Sequence, residues 1–189
     1  MAIHSDLSNY THEQLAGYTH ALLMLALNPY ITDRTAEDVE RWRTLRNKGW
    51  AAMTEEERQE WVGNIVPTPA ASKGMYSYTD LNRVEVAVEA LTARLKDMGY
   101  KSSVSSVKTD WTYQNEFWWA DMVRYFGNIA AIREAIVVFP DTPVAPAIGD
   151  KMDYIVANNI EKILKDVDTI STNIQESWLY AGDLFAGEV

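Results

Sequence analysis

Residues 78–91 read YTDLNRVEVAVEAL. Val84, Val88 and Leu91 recur there at i, i+4 and i+7, which places them on one face of a helix. Two later stretches carry the same face, WADMVRYFGNIAAI (119–132) and YIVANNIEKILKDV (154–167). In register, Tyr125, Ile129 and Ile132, and then Ile160, Leu164 and Val167, fall on the positions of Val84, Val88 and Leu91. Each stretch opens with an aromatic residue. The pattern predicts helices that share one core, so the fold class is mostly α, a helical bundle. Two origins of the common stripe stay open: degenerate helical repeats, or three unrelated helices packed in one bundle.

Upstream, Thr35-Ala-Glu-Asp reads as an N-cap followed by an acidic first turn, with Val39, Trp42 and Leu45 on one face and Lys48-Gly49 as the stop. Thr54 to Glu57 form a capping box that opens a short helix through Trp61. The run Glu55-Glu56-Glu57 reads as an acidic first turn rather than a metal site. Earlier still, Thr11 to Leu27 carries a stripe of Leu15, Tyr18, Leu22 and Leu25, closed by Asn28-Pro29. VPTPAASKGM (66–75) is the one linker-like stretch. The expected organisation is an N-terminal helical arm (1–65), a linker (66–75) and a helical core (76–189), with core helices near 79–98, 118–138, 154–170 and 172–185. GYKSSVSSVKTDWT holds a short extended piece at Val104–Val107, and the prolines of PDTPVAPAIGD forbid a helix there. The first 30 or so residues are expected to serve assembly, with Leu22 and Leu25 as candidate interface residues.

The 189 residues suffice for one domain with an appended arm, and 47% hydrophobic against 23% charged residues gives a chain able to bury a core. The net charge of −10 comes from 27 acids among 17 scattered Lys and Arg, so nucleic acid and anionic membranes are poor partners. The absence of cysteine excludes disulfides, thiol catalysis and thiolate metal sites. No signal peptide is visible, and ALLMLAL (21–27) is too short to span a bilayer, so the chain is expected to be made in the cytoplasm.

KTDWTYQNEFWWADMVRY (108–125) is the chemically densest segment. It reads first as an anchor, in which Asp110 or Thr112 caps backbone amides, the Trp111 indole reaches a carbonyl, and Phe117, Trp118 and Trp119 seat the next helix. A stacking platform for a sugar or another chain is the second reading, and catalysis by Asp110, Glu116 or Asp121 the third. Trp111, Trp118 and Trp119 are the candidate interface residues. Neighbouring helical positions point about 100° apart, so Trp118 and Trp119 should divide into one core and one surface residue. His12-Glu-Gln-Leu-Ala lacks the second histidine of a zincin helix, and His4, His12 and His20 drift by about 80° per step around a helix. Nucleotide loops, nucleophile elbows and EF-hand loops are all missing from the sequence. The expectation is a protein that is not an enzyme and uses no cofactor or metal.

The sequence also resembles an uncharacterised virion protein family of phages and prophages of Gram-positive bacteria. Tyr78, Asp80, Asn82, Arg83 and Val84 match its helix start, KTDW (108–111), followed by an aromatic-led helix, matches a second motif, and Ala181, Gly182, Leu184, Gly187 and Glu188 match its close. DRTAEDVERWRTLRNKGWAAMTEEERQEW resembles its front half. The resemblance covers nearly the whole chain after Tyr30 and brings no active-site residues. It implies a structural protein of the virion, associated with the tail, baseplate or fibre. Such a protein is made in the host cytoplasm and acts as a homo-oligomer in contact with other virion proteins. A carbohydrate-contacting module that meets a surface glycan of the host wall is the alternative.

Overall fold

A computed structural model describes residues 30–63 and 73–185, with side chains as far as Ser177. Within them are five α-helices and no strand: α1 (Ala36–Lys48), α2 (Glu55–Gly63), α3 (Tyr78–Asp97), α4 (Trp119–Glu134) and α5 (Tyr154–Phe185). The chain is mostly α, as its periodicity predicts. Val84, Val88, Leu91, Tyr125, Ile129, Ile132, Ile160, Leu164 and Val167 all belong to one buried cluster where α3, α4 and α5 pack on each other. Burial of a side chain of this size contributes roughly 1.5–3 kcal/mol.

The helix starts follow the capping chemistry in the sequence. Thr35 and Asp38 exchange side-chain and backbone bonds at the start of α1, as Thr54 and Glu57 do before α2. Ser77 and Asp80 form a third such box before α3. Gly49 ends α1 with φ +73°, a left-handed conformation that disfavours a side chain. Gly74 answers to space instead, because a Cβ there would sit 2.0 Å from the Asp38 carbonyl oxygen of α1.

Two boundaries differ from the sequence reading. α5 is a single helix of 32 residues where a break near 171 was expected. The Ser171 hydroxyl donates to the Asp168 carbonyl, and the Thr172 hydroxyl accepts from Arg94, so both are engaged within a continuing helix. α4 closes at Glu134, ahead of the predicted 138, and the 3₁₀-type bond from Ala135 N to the Ile132 carbonyl marks the stop. Most of the predicted linker lies outside the described residues, as does the Thr11–Leu27 stripe.

The three long helices run in the same direction. Arg83, also paired with Asp80 of its own helix, meets Glu161 near the starts of α3 and α5, and Arg94 meets Asp168 and Ser171 further along both. Arg124 of α4 pairs with Glu85 of α3. Thr142, bonded to Arg133 at the far end of α4, donates to Asp166 of α5. Parallel helices force each connection to travel back along the bundle, about 30 Å for a helix of 20 residues. Residues 98–118 and 135–153 make those journeys without a strand partner. Their backbone N–H and C=O groups therefore need side chains to satisfy them.

Candidate functional site

Asparagines on the helices supply those bonds. Asn82 of α3 donates through Nδ2 to the Trp111 carbonyl and accepts the Trp111 N–H at Oδ1, each at 2.8 Å. Three residues on, Glu85 accepts from the Lys108 N–H at 3.2 Å. On α5 the arrangement recurs. Asn158 donates to the Arg34 carbonyl at 2.8 Å and accepts its N–H at 3.0 Å, and Glu161 accepts from the Ile31 N–H at 2.6 Å. The segments held are ITDRT (31–35) and KTDWT (108–112). Both close on a threonine whose N–H and hydroxyl donate to a carboxylate or amide oxygen three residues later, Asp38 or Asn115.

Asn82 with Glu85 and Asn158 with Glu161 occupy the same positions of α3 and α5, so these two helices share more than an apolar stripe. α4 has Val123 and Phe126 at those places. It uses Asn128 instead, which accepts from the Ser105 N–H and donates to the Ser106 carbonyl. The predicted extended piece around Val104–Val107 is thus held by a side chain rather than by a strand. Each clamping glutamate also takes an arginine fork from a neighbouring helix. Arg124 meets Glu85 at 2.9 and 2.6 Å, and Arg83 meets Glu161 at 3.1 and 2.7 Å.

Inside the clamps the two segments present different side chains. Arg34, 4% exposed, bonds Asp80 and Glu161 at 2.8 and 2.7 Å and lies over the Tyr76 ring. Burial opposes its charge, but Glu161 and Asp80 overcome that and raise its pKa; the same balance raises that of Arg83. With two cations facing two carboxylates, the cluster is balanced and its oxygens are engaged. Trp111, 3% exposed, packs on Phe117 at 5.5 Å, and Phe117 meets Tyr125 edge-on. The Tyr125 and Tyr76 hydroxyls are 2.5 Å apart, and burial pushes both phenols well above their ordinary pKa.

Trp111 is a buried clamp residue, as predicted, with two corrections. Its backbone partner is Asn82, and Thr112, paired with Asn115, caps the Gln114 N–H in the turn that follows rather than an amide of the helix that begins near Trp118. Its indole N–H is buried and meets no acceptor among the described residues, while Lys108 sits over the ring at 4.1 Å. Trp118 and Trp119 do not divide into core and surface: they are 65% and 61% exposed. Both sit at the very start of α4, ahead of the buried stripe that begins at Tyr125, and Phe117 alone supplies the inward anchor. Tyr113 beside them is also exposed, and Asp110 and Glu116 are exposed and enter no ion pair among the described residues. The segment from Asp110 to Trp119, called the edge below, therefore exposes acids and aromatic rings around the clamped Trp111. Leu22 and Leu25 lie outside the described residues.

A cavity of about 300 Å³ opens between the starts of α1 and α5, lined among others by Arg34, Arg43, Lys73, Tyr76, Lys151 and Met152. Lys73 is tied to Asp33 at 2.5 Å and holds that carboxyl below its usual range. Among the described residues no group of three or more His, Asp or Glu converges as metal ligands, and no helix is long and apolar enough to cross a membrane.

Sequence reasoning missed Asn82, Asn158, Asn128, Glu85 and Glu161. The available signal was the match of ITDRT to KTDWT together with the repeated Asn-x-x-Glu on two helices. Compared with known proteins, the chain matches no family model, no curated protein and no solved structure.

Proposed function

We propose that this protein is a structural, non-enzymatic component of a phage particle, acting through oligomeric contacts in the tail, baseplate or fibre region. The observation that carries the assembly part is the edge formed by Tyr113, Trp118 and Trp119. Large aromatic side chains are enriched where surfaces are buried between chains, and three exposed within one short segment favour a contact. The edge sits directly on the Asn82–Trp111 clamp and the Trp111–Phe117–Tyr125 stack, so its backbone is fixed before any partner arrives. Such preorganisation lowers the entropy cost of binding. The placement in a phage particle rests on the sequence resemblance alone.

A second reading, contact with a glycan of the host wall, draws on the same pair of neighbouring indoles, since sugars also stack on exposed tryptophan. The first test is the native mass of the purified full chain across a range of concentrations. A species larger than the 21.5 kDa monomer is expected. A monomer throughout would contradict the assembly reading.

A further inference from the structure

We infer that residues 11–27 pack as a helix on the last turns of α5 in the same chain, antiparallel to them. α5 outruns its neighbours. Arg94, one turn before the end of α3, meets Asp168, Ser171 and Thr172 of α5. Thr142, bonded to Arg133 at the end of α4, meets Asp166. α5 runs to Phe185, so it continues roughly 15 Å past the end of α3 and further past that of α4. The apolar register does not stop with these partners. Ile170 and Ile174 pack at the margin of the core, and Trp178, Ala181 and Phe185 follow Ile174 at i+4, i+7 and i+11. A helix carries such a stripe where another element covers it. α3 and α4, the two helices that pack along α5, both end before this stretch.

The occupant follows from the route of the chain into the bundle. Asn158 holds the Arg34 backbone, and the Ile31 N–H donates to Glu161. The Tyr30 hydroxyl is buried where the charges of Asp168 and Arg94 act on it. As residue numbers fall from 34 to 30, the contacts climb α5 from 158 towards 168. The segment therefore runs antiparallel to α5, and its upstream end points at the turns that α3 and α4 leave. Only Asn28-Pro29 separates Tyr30 from Leu27, so Leu27 stands within about 11 Å of Tyr30. Upstream of it, Leu25, Leu22, Tyr18 and Leu15 form the apolar stripe of Thr11–Leu27. A helix over those residues is about 25 Å long, enough to cover the remaining turns of α5. So short a tether gives the segment a high effective concentration at α5, which favours it over a second copy. Leu22 and Leu25, expected at a contact between chains, then face their own chain.

The contact lies within one chain and stands or falls apart from the assembly reading. The chain has no cysteine, so His20→Cys/Ser177→Cys in the full chain takes nitroxide labels at those two positions alone. His20 is opposite the Leu22 stripe by register, and Ser177 is exposed. Helices in contact lie about 8–10 Å apart, so spin–spin measurement should give one narrow distance of about 15–30 Å. That distance should survive dilution with unlabelled chain. A broad distribution would overturn the inference, and a short distance lost on dilution would give the α5 stripe to a second copy instead. Hydrogen exchange gives an independent reading on Leu22→Asp/Leu25→Asp. Amides of 175–185 should exchange about tenfold faster or more, while those of α3 keep their wild-type protection. Unchanged exchange at 175–185 would equally overturn it.

Discussion

Two pentapeptides, ITDRT and KTDWT, are held by the same backbone chemistry and bury opposite side chains. Asn158 and Glu161 fix the first so that Arg34 enters a cluster of matched charges. Asn82 and Glu85 fix the second so that Trp111 enters a stack of rings. The clamp specifies where the chain runs and leaves the residue it delivers open to either environment. Both clamping glutamates are nevertheless buried and neutralised by an arginine from another helix, so each clamp also ties a segment to two helices at once.

The harshest way to break the comparison is to exchange the buried side chains. Trp111→Arg would put an unpaired cation into the aromatic stack, at several kcal/mol for the charge and about 3–5 kcal/mol for the lost ring. That approaches the total stability of a typical domain, about 5–15 kcal/mol. The variant should fail to fold, as circular dichroism would show; a well-folded variant would mean the stack is not part of the core. Truncation is milder. Trp111→Ala should cost about 3–5 kcal/mol through the cavity it leaves. Arg34→Ala should cost about 3 kcal/mol, at the low end for a broken buried pair because Arg83 still faces Asp80 and Glu161. Denaturant titration would rank the two.

Asn82→Ala and Asn158→Ala sharpen the equivalence of the clamps. Each leaves one backbone N–H and one carbonyl without their side-chain partner, so both should lose about 1–3 kcal/mol and by similar amounts. A loss confined to one site would make the likeness of the two clamps superficial. Smaller still is the pH effect of the Tyr76–Tyr125 pair. Burial raises both pKa values in the folded state, so the unfolded chain gives up these protons first. Their contribution is whole below about pH 10, the ordinary tyrosine pKa, and fades as pH rises above it. The tyrosinate absorbance of Tyr76 and Tyr125 should appear only as the chain unfolds, and Tyr76→Phe should move alkaline unfolding to higher pH. Titration of all the tyrosines near pH 10 in a folded chain would contradict this.

The bundle was legible in the sequence because apolar spacing at i, i+4 and i+7 is dictated by helix geometry, and Val84, Ile129 and Ile160 obey it. The capping boxes at Thr35 and Thr54 were legible for the same reason: both ends of the bond lie within four residues. The clamps were not. Asn82 to Trp111 and Asn158 to Arg34 join residues far apart in the chain, and an asparagine on a helix face reads as a solvated residue until the parallel packing brings an extended segment across it. The continuity of α5 was hidden because Ser171 and Thr172 end a helix as readily as they lie within one. Trp118 and Trp119 were misplaced because two tryptophans at a helix start look like an anchor, and Phe117 had taken that role.

Stability held by the clamps and contact made at the edge are separable properties of neighbouring residues, and one double variant tests that separation. Trp118→Ala/Trp119→Ala removes two exposed rings, so the melting temperature should stay close to wild type, since surface changes usually cost within about 0.5 kcal/mol. The native mass of the same sample should fall to the 21.5 kDa of a single chain. A variant that keeps the wild-type mass, or one that loses its fold together with its assembly, would contradict the account.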